Sequence, residues 1–313
     1  MLKPKVGIIG AGNVGMRYAY SLMISGLSRS IVIVDRDRKR TEGEVLDLAS
    51  CMPYVPPVEI ASGDYADLKD SNLIVITAGK KQSPGQTRID LVKDNVDIFK
   101  QVIPQVMKAT PEATFLVVTN PVDVLSFATY KISGKPWQQV LGSGTVLDSA
   151  RLRLLLARHC NIDARNIHAY ILGEHGDTEF PVWSKAVFGG TFLGDYCTIC
   201  KKCDHRETLT HIFEDVRDFA YKVISLKGET SYGIGLALVR ITEAILRDEN
   251  SILPVSCLVQ GYYGLSDLYM SVPSVVNNSG IREVLNIKLS DEEVEWLKNS
   301  AQAIKSVIKE IGL

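Results

Sequence analysis

The chain has 313 residues, a formal net charge of -1, and 46% hydrophobic against 23% charged residues. That length suits one large or two medium domains, and 35 basic residues against 36 acidic ones leave no global field to draw in nucleic acid or an anionic membrane. The longest uncharged stretch, Ser251 to Ser266, contains Pro254 and Gln260 and falls short of the ~20 apolar residues a membrane span requires.

A strand-like run follows Met1–Lys5 directly, with no apolar leader before it. The six cysteines are too sparse for a disulfide scaffold. The expected setting is a reducing cytoplasm. In chain order, Val6–Ile9, Ile31–Val34, Leu73–Thr77 and Phe115–Thr119 are short apolar runs bounded by Gly, Asp or Asn, the pattern of strands buried on both faces of a parallel sheet. Between them, Met16–Ser25, Lys39–Ala49 and Asp90–Ala109 place apolar residues at helical spacing. Alternating strand and helix predicts an α/β fold, a Rossmann doubly wound parallel sheet. A further strand near Leu141–Thr145 leads into a helix over Asp148–Cys160, after which the rhythm becomes irregular. The expected division is 1–143 for the doubly wound domain and 144–313 for an α+β domain with antiparallel strands. The second part holds a strand-like Ile167–Leu172, a helical tract from about Arg206 to Arg247, β-prone segments from Ile252 to Val276 and an amphipathic last helix, Asp291–Ile311. Ser290 reads as its N-cap, and the three acids after it complement the helix dipole.

Gly10-Ala11-Gly12-Asn13-Val14-Gly15 sits between the first strand and the first helix. In that setting Gly10 permits the tight turn, Gly12 lets the backbone approach a pyrophosphate, and Gly15 allows close helix–strand contact. Asp35 ends the second strand, about 20 residues beyond Gly15, where a carboxylate holds ribose hydroxyls. The expected cofactor is NAD, with NADP kept open by Arg36, Arg38, Lys39 and Arg40.

Gly173-Glu174-His175-Gly176-Asp177 puts a histidine on a glycine-flanked loop, an acid–base candidate, although a loop histidine alone is more often structural. Asp148 and Arg151 share one face of a helix start. A cation in a first turn opposes the helix dipole, which suggests that Arg151 is kept there for an anion such as a substrate carboxylate. The loop after the third strand, Ala78 to Arg88, is polar, is hinged at Gly79 and Gly85, and ends on an arginine. It suits a lid, and equally a plain surface loop.

Together, GAGNVG at 10–15, Asp35, TAGKKQSPGQTRIDLV at 77–92, TNPVD at 119–123, LGSGTVLDSARLR at 141–153, GEHGDTEFPVW at 173–183 and KGETSYGIG at 227–235 resemble the lactate/malate dehydrogenase family, most of all its bacterial L-lactate members. The likeness spans nearly the whole chain. It implies that residues 1–143 bind NAD and residues 144–313 carry substrate and catalysis. It also implies that His175 exchanges a proton with the substrate oxygen, Asp148 orients the imidazole, Arg151 grips the carboxylate, Arg88 polarises the carbonyl, and Asn120 faces the substrate beside Pro121, across a candidate cis bond. Cofactor contacts extend to Val14, Gly79, Thr119, Asn120 and Ser143.

The resemblance sets Gln82 at the far end of the 2-hydroxy acid, where malate-specific members carry Arg. A neutral Gln leaves a second carboxylate unpaired and so favours pyruvate and lactate. Thr230 points the same way, while Lys80 and Lys81 leave a broader range, malate included, as the alternative. Arg153 and His168 match positions at which allosteric bacterial members bind fructose 1,6-bisphosphate across a subunit interface, or else they merely pack. A homotetramer is implied, and no metal. Cys197, Cys200, Cys203 and His205 have spacings that suit zinc, yet adventitious surface thiols are the plainer reading.

Overall fold

The computed structural model describes residues 4–80, 87–195 and 205–313, the side chains of Arg88, His205 and Arg206 excepted. The apolar runs of the first half form β1 (Lys5–Ile9), β2 (Ser30–Val34), β4 (Leu73–Ile76), β5 (Thr114–Val117) and β6 (Val140–Gly142), with β3 (Glu59–Ser62) at the edge. They pair in parallel in the order β3-β2-β1-β4-β5-β6. Every residue of β4 and β5 is buried, because crossover helices cover both faces of such a sheet. These are α1 (Asn13–Ser25), α2 (Arg38–Ala49), α3 (Arg88–Ala109) and α4 (Val122–Ser133). The strand order reverses between β1 and β4, so the loops leaving the carboxyl ends of β1, β4 and β5 meet at one crevice.

Two elements of this half escape a periodicity reading. In β3 only Ile60 is buried, so there is no apolar run to see. In α4 every residue from Val122 to Thr129 is buried, which erases the polar face that marks an amphipathic helix.

The second half opens with α5 (Val146–Cys160). The single strand expected over Ile167–Leu172 is two short ones. The first, β7 (Ile167–His168), joins a three-stranded antiparallel sheet with β10 (Val187–Phe188) and β11 (Thr191–Phe192). The second, β8 (Ile171–Leu172), pairs with β9 (Phe180–Pro181). The long helical tract is likewise two helices, α6 (His205–Lys227) and α7 (Tyr232–Leu246), parted at Gly228, whose φ of +83° ends a helix at little cost for glycine. The β-prone stretch forms the hairpin β12 (Ser251–Tyr262) and β13 (Leu265–Asn277), followed by β14 (Gly280–Val284).

These antiparallel strands do not build a sheet of their own. Ser256 of β12 pairs with Gly142 of β6, so they prolong the parallel sheet to nine strands across the expected boundary at 143/144. One hydrophobic core follows the sheet, taking in Ile8, Ile74 and Leu116 from the first half and Leu238, Val255 and Met270 from the second. Each such side chain contributes about 1.5–3 kcal/mol on burial. Tyr18 of α1 and Thr242 of α7 share a buried hydrogen bond of 2.7 Å. The last helix, α8 (Asp291–Ile311), starts on a capping box between Ser290 and Glu293. Glu293 also accepts from the backbone and hydroxyl of Ser184, which ties α8 to the segment after β9. No described helix is long and apolar enough to cross a membrane.

The first turn separates two kinds of glycine. A Cβ on Gly15 would lie 2.1 Å from the Gly10 carbonyl oxygen, whereas one on Gly12 would meet nothing within 4 Å. Gly15→Ala is therefore expected to cost about 1–3 kcal/mol through overpacking and to lower the thermal midpoint, while Gly12→Ala leaves it at the wild-type value. Circular-dichroism melts of the two variants check this.

Candidate active site

Where β1 ends, Gly10 turns the chain with φ +111° and donates its N–H to the Val34 carbonyl at 2.8 Å. Gly12 precedes α1 as its N-cap, and no side chain caps the helix start. The N–H groups of Asn13, Val14 and Gly15 thus face a cradle suited to a pyrophosphate. Asp35, one residue past β2, accepts the Ala11 N–H at 2.7 Å through one oxygen and the Asp37 N–H at 2.9 Å through the other. Its carboxylate braces the glycine turn and keeps lone pairs for ribose hydroxyls. The residues present therefore fit NAD. Asn13 lies near Glu229 and helps to hold its carboxyl below the usual range, which brings the 227–235 stretch, with half-buried Thr230, against the same turn.

The loops beyond β4 and β5 are fastened together. The Thr119 hydroxyl donates to the Ala78 carbonyl at 2.7 Å, and a Cβ on Gly79 would lie 2.4 Å from the Thr119 methyl group. Asn95, fully buried in α3, accepts the Lys80 N–H at 2.8 Å and donates to the Asn120 carbonyl at 3.2 Å. The Asn120–Pro121 bond is cis. Ser143 stands at the end of β6, its N–H on the Val117 carbonyl at 2.8 Å.

Across the crevice lies the acid–base group. Asp148 and Arg151 are on the first turns of α5, 2% and 8% exposed. One oxygen of Asp148 accepts from Arg151 Nη1 at 2.9 Å and the other meets Nδ1 of His175 at 2.6 Å. Nε2 is the ring nitrogen left to exchange a proton, on a side chain that is 26% exposed. The His175 backbone N–H donates to Asp123 at 2.8 Å, and the other Asp123 oxygen accepts the Ser256 hydroxyl of β12 at 2.6 Å. The neighbouring Glu174 N–H donates to Ser300 of α8 at 2.6 Å. Elements from both halves thus hold one loop.

Electrostatics follow from this burial. For His175, burial opposes the imidazolium, but the Asp148 carboxylate outweighs it, helped by Glu179 and Asp123, and the group is pushed up to about 9. Asp148 itself is held below the usual carboxylate range, since His175 and Arg151 overcome the cost of burial. Burial pushes Asp123 up to about 6, against its hydrogen bonds from Ser256 and His175. The Arg151 guanidinium also lies over the Phe219 ring of α6, 5.2 Å from its centroid.

His175, Asp148 and Arg151 are in direct contact, while Arg153 and His168 are elsewhere. Those two line a separate cavity of about 540 Å³ with Tyr170 and Arg240, which contains none of the acid–base group. Arg153 donates to the Ala164 carbonyl at 3.1 and 3.3 Å. Gln82, Lys81, Cys197, Cys200 and Cys203 lie outside the described residues, as do the side chains of Arg88 and His205. Ligand atoms of Asp148, His175 and Glu179 come within 4.8 Å of one another, near enough to share a divalent cation, yet both Asp148 oxygens and Nδ1 are already engaged.

Asn95, Asp123, Glu179 and Phe219 were not foreseen. Asn95 had a signal, a polar residue on the stripe Val92, Val96, Phe99 of an otherwise apolar helix face. The others are set by tertiary contacts alone.

Residues 4–142 match the lactate/malate dehydrogenase NAD binding domain, and residues 145–312 match the alpha/beta C-terminal domain of the same proteins. The chain belongs to the lactate/malate dehydrogenase family. It is 50% identical over 309 residues to an L-lactate dehydrogenase of Acetivibrio thermocellus, covering 99% of this chain and 98% of that one. It is 48% identical over 308 residues to L-lactate dehydrogenase 1 of Clostridium acetobutylicum, with 98% of each covered. Among solved structures, a lactate dehydrogenase from a Medee basin deep-sea metagenome library superposes with a TM-score of 0.95 at 43% identity over all of both chains. The minor L-lactate dehydrogenase of Enterococcus mundtii does so with 0.96 at 38% identity over 98% of each.

The cradle carries its own test. Asp35→Ala is expected to weaken NADH binding at least tenfold, about 1.4 kcal/mol, with the fold intact, as measured by NADH fluorescence titration beside a circular-dichroism spectrum.

Proposed function

We propose that the chain is an L-lactate dehydrogenase, reducing pyruvate with NADH and oxidising L-lactate with NAD. The observation that carries the reading is the buried chain Arg151–Asp148–His175, joined at 2.9 and 2.6 Å, beside a dinucleotide cradle. Bound NADH supplies a hydride to the carbonyl carbon. His175 gives the carbonyl oxygen its proton from Nε2 and takes it back in the reverse direction. Asp148 fixes the ring orientation and favours the imidazolium that reduction consumes. Arg151, with one nitrogen on Asp148, offers its remaining donors to the substrate carboxylate as a planar fork. Arg88 and Asn120 face the carbonyl oxygen in this reading, and Gly10, Gly12, Val14, Gly15, Asp35, Gly79, Thr119 and Ser143 hold the dinucleotide.

Substrate choice rests on Gln82, with Thr230 in support. An additional cation at the pocket would favour a dicarboxylate; Lys80 pairs with Asp94 at 3.0 Å on the exposed surface. A non-catalytic NAD-binding role has no use for a buried carboxylate clamped between an arginine and a histidine. In assays of NADH oxidation the wild type is expected to prefer pyruvate, and Gln82→Arg to shift the preference towards oxaloacetate by more than about tenfold. An unchanged preference removes Gln82 from the pocket.

The same reading includes a homotetramer activated by fructose 1,6-bisphosphate. Arg153 and exposed His168 line one cavity with Arg240, whose guanidinium also pairs with Glu249 at 2.7 Å; two copies meeting there would bring cations together around a phosphate. Fructose 1,6-bisphosphate is expected to raise the rate at low pyruvate, and Arg153→Ala to abolish the response. A rate indifferent to the effector ends the idea.

A further inference from the structure

Glu179 is a buried carboxyl that the proton-transfer scheme above leaves without a task. It sits four residues after His175 on the loop between β8 and β9 and is 7% exposed. Its backbone N–H closes a turn on the Gly176 carbonyl at 3.1 Å. That turn folds the loop back, so that a Glu179 oxygen comes within 4.8 Å of both a His175 ring nitrogen and an Asp148 oxygen. A second carboxyl so close to a first is costly unless a proton or a cation offsets it.

We propose that Glu179 is a positioning residue for proton transfer, a second carboxylate beside the imidazole that keeps His175 protonated where Asp148 alone would release the proton. The inference rests on the dehydrogenase reading and deepens it. The charged groups around Glu179 define how it works. Burial, Asp148 of α5 and Asp177 of its own loop hold its proton on, while His175 and Arg151 draw it off. Asp177 is in turn tied to Tyr221 of α6 at 2.9 Å, and Asp123 of α4 accepts the His175 backbone N–H at 2.8 Å. For this role Glu179 must ionise, as pH rises, while the imidazolium is still present to stabilise its anion. That anion then holds the imidazolium proton more tightly, so the two losses are coupled. Reduction of pyruvate requires the imidazolium and lactate oxidation the neutral ring. Glu179 therefore extends the reductive range of the enzyme towards alkaline pH.

The experiment compares wild type, Glu179→Gln and Glu179→Asp in pH profiles of kcat/KM in both directions. In Glu179→Gln the alkaline limb of pyruvate reduction and the acid limb of lactate oxidation should both move about one pH unit towards acid, while Glu179→Asp stays near wild type. Carbon-13 NMR of labelled histidine in the free protein, assigned with His175→Asn, should show the same displacement without turnover. Limbs and titration that stay in place overturn the proposal, whatever happens to kcat. Should Glu179→Gln fail to fold, glutamate-labelled wild-type protein decides. A Glu179 carboxyl that ionises before the imidazole titrates supports the proposal, and one that stays protonated throughout overturns it. Wild type inactive on pyruvate would defeat the dehydrogenase reading, leaving the two NMR titrations to decide this one.

Discussion

The structure depends on one ionised carboxylate that has almost no water. Asp148 is 2% exposed, and a bare anion at such depth would take up a proton. It stays charged because each oxygen has a cationic or ionisable partner, Arg151 on one side and His175 on the other. The three groups consequently set one another's state. Removing either partner would leave one oxygen of a buried carboxylate without its charge partner, which destabilises the fold.

That arrangement needs a frame from several parts of the chain. α5 supplies Asp148 and Arg151 three residues apart, on one helical face. The histidine comes on a loop whose backbone is anchored by Asp123 from α4 and Ser300 from α8. Asp123 has a double attachment, since Ser256 binds its other oxygen. The residue that follows the Asn120–Pro121 bond by two positions therefore couples the β5–α4 turn to the His175 loop and to β12.

Local signals set the glycine turn and Asp35 at their strand ends and Asp148 and Arg151 on one helical face, because each placement depends on residues close in sequence or on a strand–turn–helix context. His175 was visible as a loop histidine, but its standing came from resemblance, since its partner is 27 positions away. Asp123, Glu179 and Phe219 gave no local sign: a carboxyl or a ring takes its role from what tertiary folding puts beside it. The same reason applies to β3 and α4, one too exposed and the other too buried to show a period. The parting of α6 from α7 was written in Gly228, whose weight as a helix stop becomes plain only once its left-handed backbone is seen.

The pairing of Ser256 with Gly142 bears on motion. A protein whose two halves meet only through side chains can swing them about a linker, but here a strand pairing, the Thr145 N–H on the Pro254 carbonyl at 3.1 Å and a shared apolar interior run straight through the junction. Rocking one half against the other would strain that pairing. The spacing between glycine turn and imidazole is thus built into the scaffold itself, which opposes a jaw-like closure of the whole molecule.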